Sequence, residues 1–134
     1  MLLEGHHHST QLIHYKGVEF VLSHIKAHYS SCADLLSYNS NQNISRSANR
    51  FIKIEKSMID EITKTFSHQN DSNLIIQTPI RKLNNYHDMY KNNVELILFL
   101  KVSMKKLNNK SLSAFLSYWV AALQIENDEM SKYL

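Results

Sequence analysis

The spacing of apolar residues constrains this chain most, because they recur at alternating steps of three and four. The first segment with this spacing carries Tyr15, Val18, Leu22, Ile25, Tyr29, Cys32 and Leu36. Such a stripe lies on one face of an amphipathic helix. We therefore predict a first helix over residues 10–38, with Ser9 or Thr10 as its N-cap.

Three further segments repeat the pattern. The second begins near Ser45 or Ser47 and carries Phe51, Ile54, Met58, Ile62 and Phe66. Thr78-Pro79 predicts the start of the third, since proline suits the first helical position. Its apolar-spaced positions are Ile80, Leu83, His87, Tyr90, Val94 and Ile97. The fourth runs from about residue 112 to the end and carries Leu112, Phe115, Leu116, Trp119, Val120, Leu123 and Met130.

Four amphipathic segments predict an all-α fold, an antiparallel four-helix bundle in up-down-up-down order. A chain of 134 residues with 2 glycines and 1 proline fits one helical domain and excludes turn-rich β folds. We assign residues 1–9 to a flexible N-terminal tail and residues 10–134 to a single helical-bundle domain. The single cysteine, and the absence of a signal peptide or a membrane-length apolar run, predict a cytoplasmic protein.

Histidine is the one enriched residue type, with eight in the chain. His6, His7 and His8 fall in the predicted tail and are either a native metal-binding tract or the relic of an expression tag. His24 and His28 are four residues apart, a spacing that suits two metal ligands on one helix face. The apolar stripe, however, directs His24 towards solvent and His28 to its flank. We therefore expect two exposed or half-exposed side chains there.

His87 occupies a position on the predicted stripe itself, so we expect it to be buried or at the mouth of the bundle. In up-down-up-down order, one end of the bundle brings together imidazoles and carboxylates from all four helices: His14, Glu19, Asp60, Glu61, His68, His87, Glu126 and Glu129. A non-haem iron, manganese or zinc ion takes ligands of this kind. The predicted ligands are His87, Glu126 and Glu129, aided by His14 or Glu61. The paired Glu-x-x-His motifs of di-iron bundles are absent, and a plain His87–glutamate hydrogen bond is the alternative.

The stretch from Arg81 to His87 resembles the catalytic pair of HEPN-domain ribonucleases, in which arginine and histidine of two protomers meet and cut RNA without a metal. The resemblance covers this one short motif. Lys82 replaces the polar residue that usually follows the arginine, and Tyr90 lies one place later than in the toxin branch of the family. The resemblance implies Arg81 and His87 as catalytic residues.

The remaining features favour binding over catalysis, because phosphate loops, nucleophile elbows and Cys-x-x-Cys motifs are absent. With three arginines, the chain lacks a guanidinium-rich face for nucleic acid. The wide apolar stripes of the third and fourth helices predict a homodimer or a protein partner there. On the third helix the stripe is widened by Leu96, Phe99 and Leu100, which lie beside the stripe positions Val94 and Ile97. Our leading hypothesis is an adaptor or regulatory protein that needs no cofactor.

Overall fold

The computed structural model describes the backbone of residues 2–66 and 78–134, and the side chains of residues 17–66 and 78–134. These residues form four helices: α1 (Leu2–Tyr38), α2 (Gln42–Thr65), α3 (Tyr86–Lys106) and α4 (Lys110–Ser131). No strand occurs within the described ranges. The all-α, four-helix prediction is therefore confirmed.

Packing joins the helices around one core. α1 lies against α2 and α3, and α4 lies against the same two helices. Every helix contributes side chains that are buried completely, among them Ile25, Leu35, Phe51, Met58, Ile62, Met89, Leu100, Leu112, Leu116 and Leu123. Burial of this apolar surface is the main force that holds the four helices together. The up-down-up-down order and the division into a tail and one domain remain predictions.

Asparagine begins three of the helices. Asn41, Asn85 and Asn109 each have an extended backbone, and each accepts hydrogen bonds from first-turn backbone N–H groups of α2, α3 and α4 respectively. These groups have no partner inside a helix, so a side-chain acceptor stabilises the helix start. The asparagine-rich sequences between the helices thus supply the caps. For that reason α2 and α4 begin a few residues before their predicted starts.

The predicted start of α3 is wrong by about two turns. Residues 78–85 are not helical, and α3 begins at Tyr86. Polar groups of α1 hold the preceding segment: Ser23 Oγ lies 2.7 Å from Thr78 Oγ1, and the Arg81 N–H donates to Ser31 Oγ at 3.1 Å. These bonds keep the segment extended along α1, so the favourable Thr-Pro pair does not start a helix.

At the other boundaries α1 ends at Tyr38 as predicted, whereas it begins at Leu2 and includes the residues that we assigned to a tail. The flexibility of that segment stays a prediction. No helix in the described ranges is long and apolar enough to cross a membrane.

Candidate functional site

A buried polar cluster, which we call the central cluster, lies in the interior of the bundle, and each helix contributes one residue to it. The four residues are His28 from α1, Glu55 from α2, Asn93 from α3 and Asn127 from α4, with 4%, 0%, 0% and 1% of their surfaces exposed. Buried polar groups destabilise a fold unless they find partners. The positions of these four side chains are therefore coupled to the alignment of all four helices.

Both ring nitrogens of His28 face oxygen atoms of other helices. His28 Nε2 lies 2.7 Å from Asn93 Oδ1, and His28 Nδ1 lies 2.7 Å from Glu55 Oε2. Asn93 Nδ2 in turn donates to Asn127 Oδ1 at 3.1 Å, which fixes the orientation of the Asn93 amide. Because both nitrogens face acceptors, His28 is best satisfied as an imidazolium with two N–H donors.

Glu55 is the most costly member of the cluster, because its carboxylate is fully buried. Neither oxygen has a well-directed hydrogen bond, although Oε2 is within ion-pair distance of His28. A short Nδ1–Oε2 distance without a well-directed hydrogen bond is possible when the Nδ1–H of His28 does not point at Oε2 of Glu55. The attraction is then electrostatic, and Cys32 Sγ, 3.7 Å from Nδ1, competes for the same N–H.

The pKa values of the pair reflect this environment. Burial is the largest single influence on His28 and lowers its pKa, but the Glu55 carboxylate and Cys32 together outweigh burial and hold the pKa well above 6.5. Burial raises the pKa of Glu55 above 4.5, and the His28 cation offsets part of that rise. Both shifts mean that the folded pair holds its protons more firmly than the separated groups do.

A cavity of about 240 Å³ adjoins this cluster between α1, α3 and the segment that precedes α3. Its lining includes His24, His28, Thr78 and Asn92. The buried Nδ2 of Asn92 has no hydrogen-bond partner among the described residues. His28 reaches the cavity wall with both nitrogens already engaged by Glu55 and Asn93. It therefore has no free nitrogen with which to act on a bound molecule.

The structure does not gather the predicted metal ligands. Glu126 lies 3.3 Å from Arg50, Glu129 lies 2.9 Å from Lys132, and Glu61 accepts from Thr65 at 3.4 Å. Within the described ranges no three histidine, cysteine, aspartate or glutamate side chains are grouped so that they could hold a metal. The side chain of His14 and all of His68 lie outside the described residues. The metal hypothesis stays a prediction.

His87 is exposed in the first turn of α3, which corrects our expectation of a buried side chain; a position at the mouth of the bundle stays a prediction. The reason is the late start of α3. We counted apolar positions in steps of three and four from Ile80, but residues 80–85 are not helical, so the count does not give the buried face of α3. Ile80 is likewise 60% exposed. The buried face of α3 instead carries Met89, Asn92, Asn93, Leu96, Ile97 and Leu100.

The Arg81–His87 pair is not on one helix. Arg81 lies in the segment before α3, where its exposed guanidinium donates to Glu95, and His87 lies in the first turn of α3. The ribonuclease hypothesis rests on a second protomer and stays a prediction.

The central cluster was not among the predicted sites, because the apolar stripe of α1 placed His28 at its flank. A signal was nevertheless present in the sequence. Glu55 lies four residues after Phe51 and three before Met58, and Asn127 has the same relation to Leu123 and Met130. Polar residues at core positions of several helices indicate a shared buried network.

A second unusual feature is the solvent-facing side of α4. Tyr118 and Ile125 are 70% and 69% exposed, although the opposite face of the same helix forms the core. No charged residue occurs from Ser111 to Ile125. On α3, Leu98 and Val102 are also exposed. Of the α3 residues that we expected to exceed one packing face, Leu96 and Leu100 are instead buried in the core.

Comparisons of the chain with protein-family models, with curated proteins and with solved structures found no match.

Proposed function

We propose that this chain is a protein-interaction module that self-associates through the outer surface of α3 and α4, and that it acts by contact rather than by catalysis. The observation that carries the proposal is the outer side of α4, where Tyr118 and Ile125 are exposed in a stretch without charges. A helix that is apolar all round is ordinarily buried on all sides. A contiguous exposed apolar surface in turn marks an interaction site.

The central cluster supports a contact function in a different way. Its members come from all four helices, so the ion pair and amide bonds favour one alignment of the bundle. One alignment gives the outer surface of α3 and α4 a fixed shape. A rigid surface loses less entropy on association than a mobile one does.

Sedimentation equilibrium or light scattering at micromolar concentration tests the proposal. We expect a species of twice the 15.6 kDa chain mass. Tyr118→Lys and Ile125→Lys, separately and together, should weaken the dimer at least tenfold, because each buries a charge in an apolar contact. Ser57→Lys is the matched control, since Ser57 is an exposed position of α2. A wild-type chain that stays strictly monomeric would refute self-association.

A further inference from the structure

The outer side of α4 has a regular composition. Ala114, Tyr118, Ala121 and Ile125 are all exposed and follow one another at steps of four, three and four. We call these four residues the outer stripe. On a helix this spacing places side chains in one row. Small and large residues alternate along the row, and this order determines which surface fits against it.

We propose that the outer stripe docks against the same stripe of a second copy of this chain, with the two α4 helices antiparallel about a two-fold axis between Trp119 and Val120. In this register Tyr118 faces Ala121 of the second copy, and Ala114 faces Ile125 of the second copy. Each large side chain thus meets a small one, on both sides of the axis. A two-fold contact requires this kind of self-complementary surface.

Charge at the two ends of α4 fits the same register. The alignment that matches the outer stripe brings Lys110 of one copy opposite Glu129 of the other, and Ser111 opposite Asp128. These charges lie outside the uncharged stretch, in the rim of the contact, where they set register and orientation more than affinity. Because the two-fold axis repeats every pair, Lys110 faces Glu129 at both ends of the contact, where Glu129 also contacts Lys132 of its own chain.

The outer face of α3 does not fit a two-fold contact of its own. Its exposed apolar residues Leu98 and Val102 lie among five exposed charged residues, namely Lys91, Glu95, Lys101, Lys105 and Lys106. A symmetric α3–α3 contact would take several of these charges out of water, a cost that the uncharged outer stripe of α4 does not carry. α4 is therefore the axial helix of the proposed dimer, and α3 lies at its border.

This inference rests on the proposed self-association and goes beyond it by specifying orientation and register. Cysteine cross-linking under mild oxidation tests both. Ala114→Cys and Ile125→Cys are made separately, purified, and oxidised either alone or after mixing. A disulfide requires Cα atoms roughly 4.4–6.8 Å apart. In the proposed register, two copies of position 114 are offset by about 16 Å along the helix, so neither variant alone can form a bridge.

We expect covalent dimers only from the mixture, in up to about half of the dimers, the statistical share of mixed pairs. Wild-type protein is one control, because its single cysteine, Cys32, is buried. Ser57→Cys, on α2, is the second. Covalent dimers from each variant alone indicate a parallel contact and overturn the inference. If no cross-links form although scattering still shows a dimer, the proposed register is also overturned, but the proposed self-association is not. A monomer in scattering overturns both proposals.

Discussion

Removal of either partner of the buried ion pair should have unequal effects on stability. His28→Leu leaves the fully buried Glu55 without its cation, and it leaves Asn93 Oδ1 without a donor. Glu55→Met leaves His28 without its carboxylate partner, but the imidazole can lose one proton and still donate from Nε2 to Asn93. The difference between the two variants is the free energy needed to neutralise the remaining group at the pH of measurement.

The magnitude follows from the ordinary pKa values. To keep a carboxyl of pKa 4.5 protonated at pH 7 costs about 3.4 kcal/mol, at about 1.36 kcal/mol for each pH unit. The unpaired Asn93 oxygen adds about 1 kcal/mol. We therefore expect His28→Leu to lower the free energy of unfolding by about 3–5 kcal/mol, the usual range for a broken buried pair.

Glu55→Met should cost about 1 kcal/mol or less. An imidazole of ordinary pKa 6.5 is already mostly neutral at pH 7, so little free energy is needed to bury it uncharged. The double variant contains no buried charge and should recover most of the loss. The two substitutions should therefore be coupled by about 3 kcal/mol.

Urea unfolding followed by helical circular dichroism, at one fixed protein concentration, measures all four free energies. The loss in His28→Leu should shrink by about 2 kcal/mol from pH 7 to pH 5, because protonation of Glu55 becomes cheaper. His87→Leu is the matched control, since His87 is exposed and its replacement should change stability by about 0.5 kcal/mol or less. Equal losses in the two single variants, or a double variant as unstable as their sum, would refute the reasoning.

Three further outcomes are expected. Because the pKa of His28 is raised in the folded state, its contribution to stability is complete below pH 6.5 and is lost as the pH rises through the folded pKa. In urea titrations the His28→Leu/Glu55→Met variant should lack this loss of stability with rising pH. An identical loss in the wild type and the double variant would contradict the assignment of the effect to His28. Gly17→Ala should raise the melting temperature by about 2–4 °C, because alanine favours the helix by about 1 kcal/mol. The new Cβ would lie 2.7 Å from a Leu107 methyl, which can move into an adjoining cavity of about 360 Å³. A lower melting temperature would mean that Leu107 cannot move. Asn109→Ala should cost about 1 kcal/mol in urea unfolding and Asn109→Asp much less, since aspartate also caps; equal losses exclude a capping role.

The spacing of apolar residues was enough to predict the fold class, because burial of an apolar stripe every three to four residues has few solutions. Val18, Leu22, Ile25 and Cys32 are buried as the stripe of α1 predicts. The same counting was wrong at the start of α3. There the outcome depends on Ser23 and Ser31, which are about fifty residues away in the chain and hold Thr78 and Arg81.

The sequence likewise indicated part of each candidate site, and the packed structure decided the rest. The uncharged stretch from Ser111 to Ile125 is evident in the sequence, but only the packed bundle shows which of its residues face solvent. His28 and Glu55 are polar residues beside apolar stripes, and either could face water in an isolated helix. Their burial is decided by the other helices.

The sequence by itself therefore determined that the described part of the chain forms four helices and approximately where three of them lie, since these properties depend on neighbours within one or two helical turns. Tertiary structure alone decided which polar residues are buried, where α3 begins and which side of α4 is left uncovered. These properties depend on contacts between distant parts of the chain. In those contacts a polar group finds a partner or loses water, whereas helix periodicity indicates only that a position can face the core.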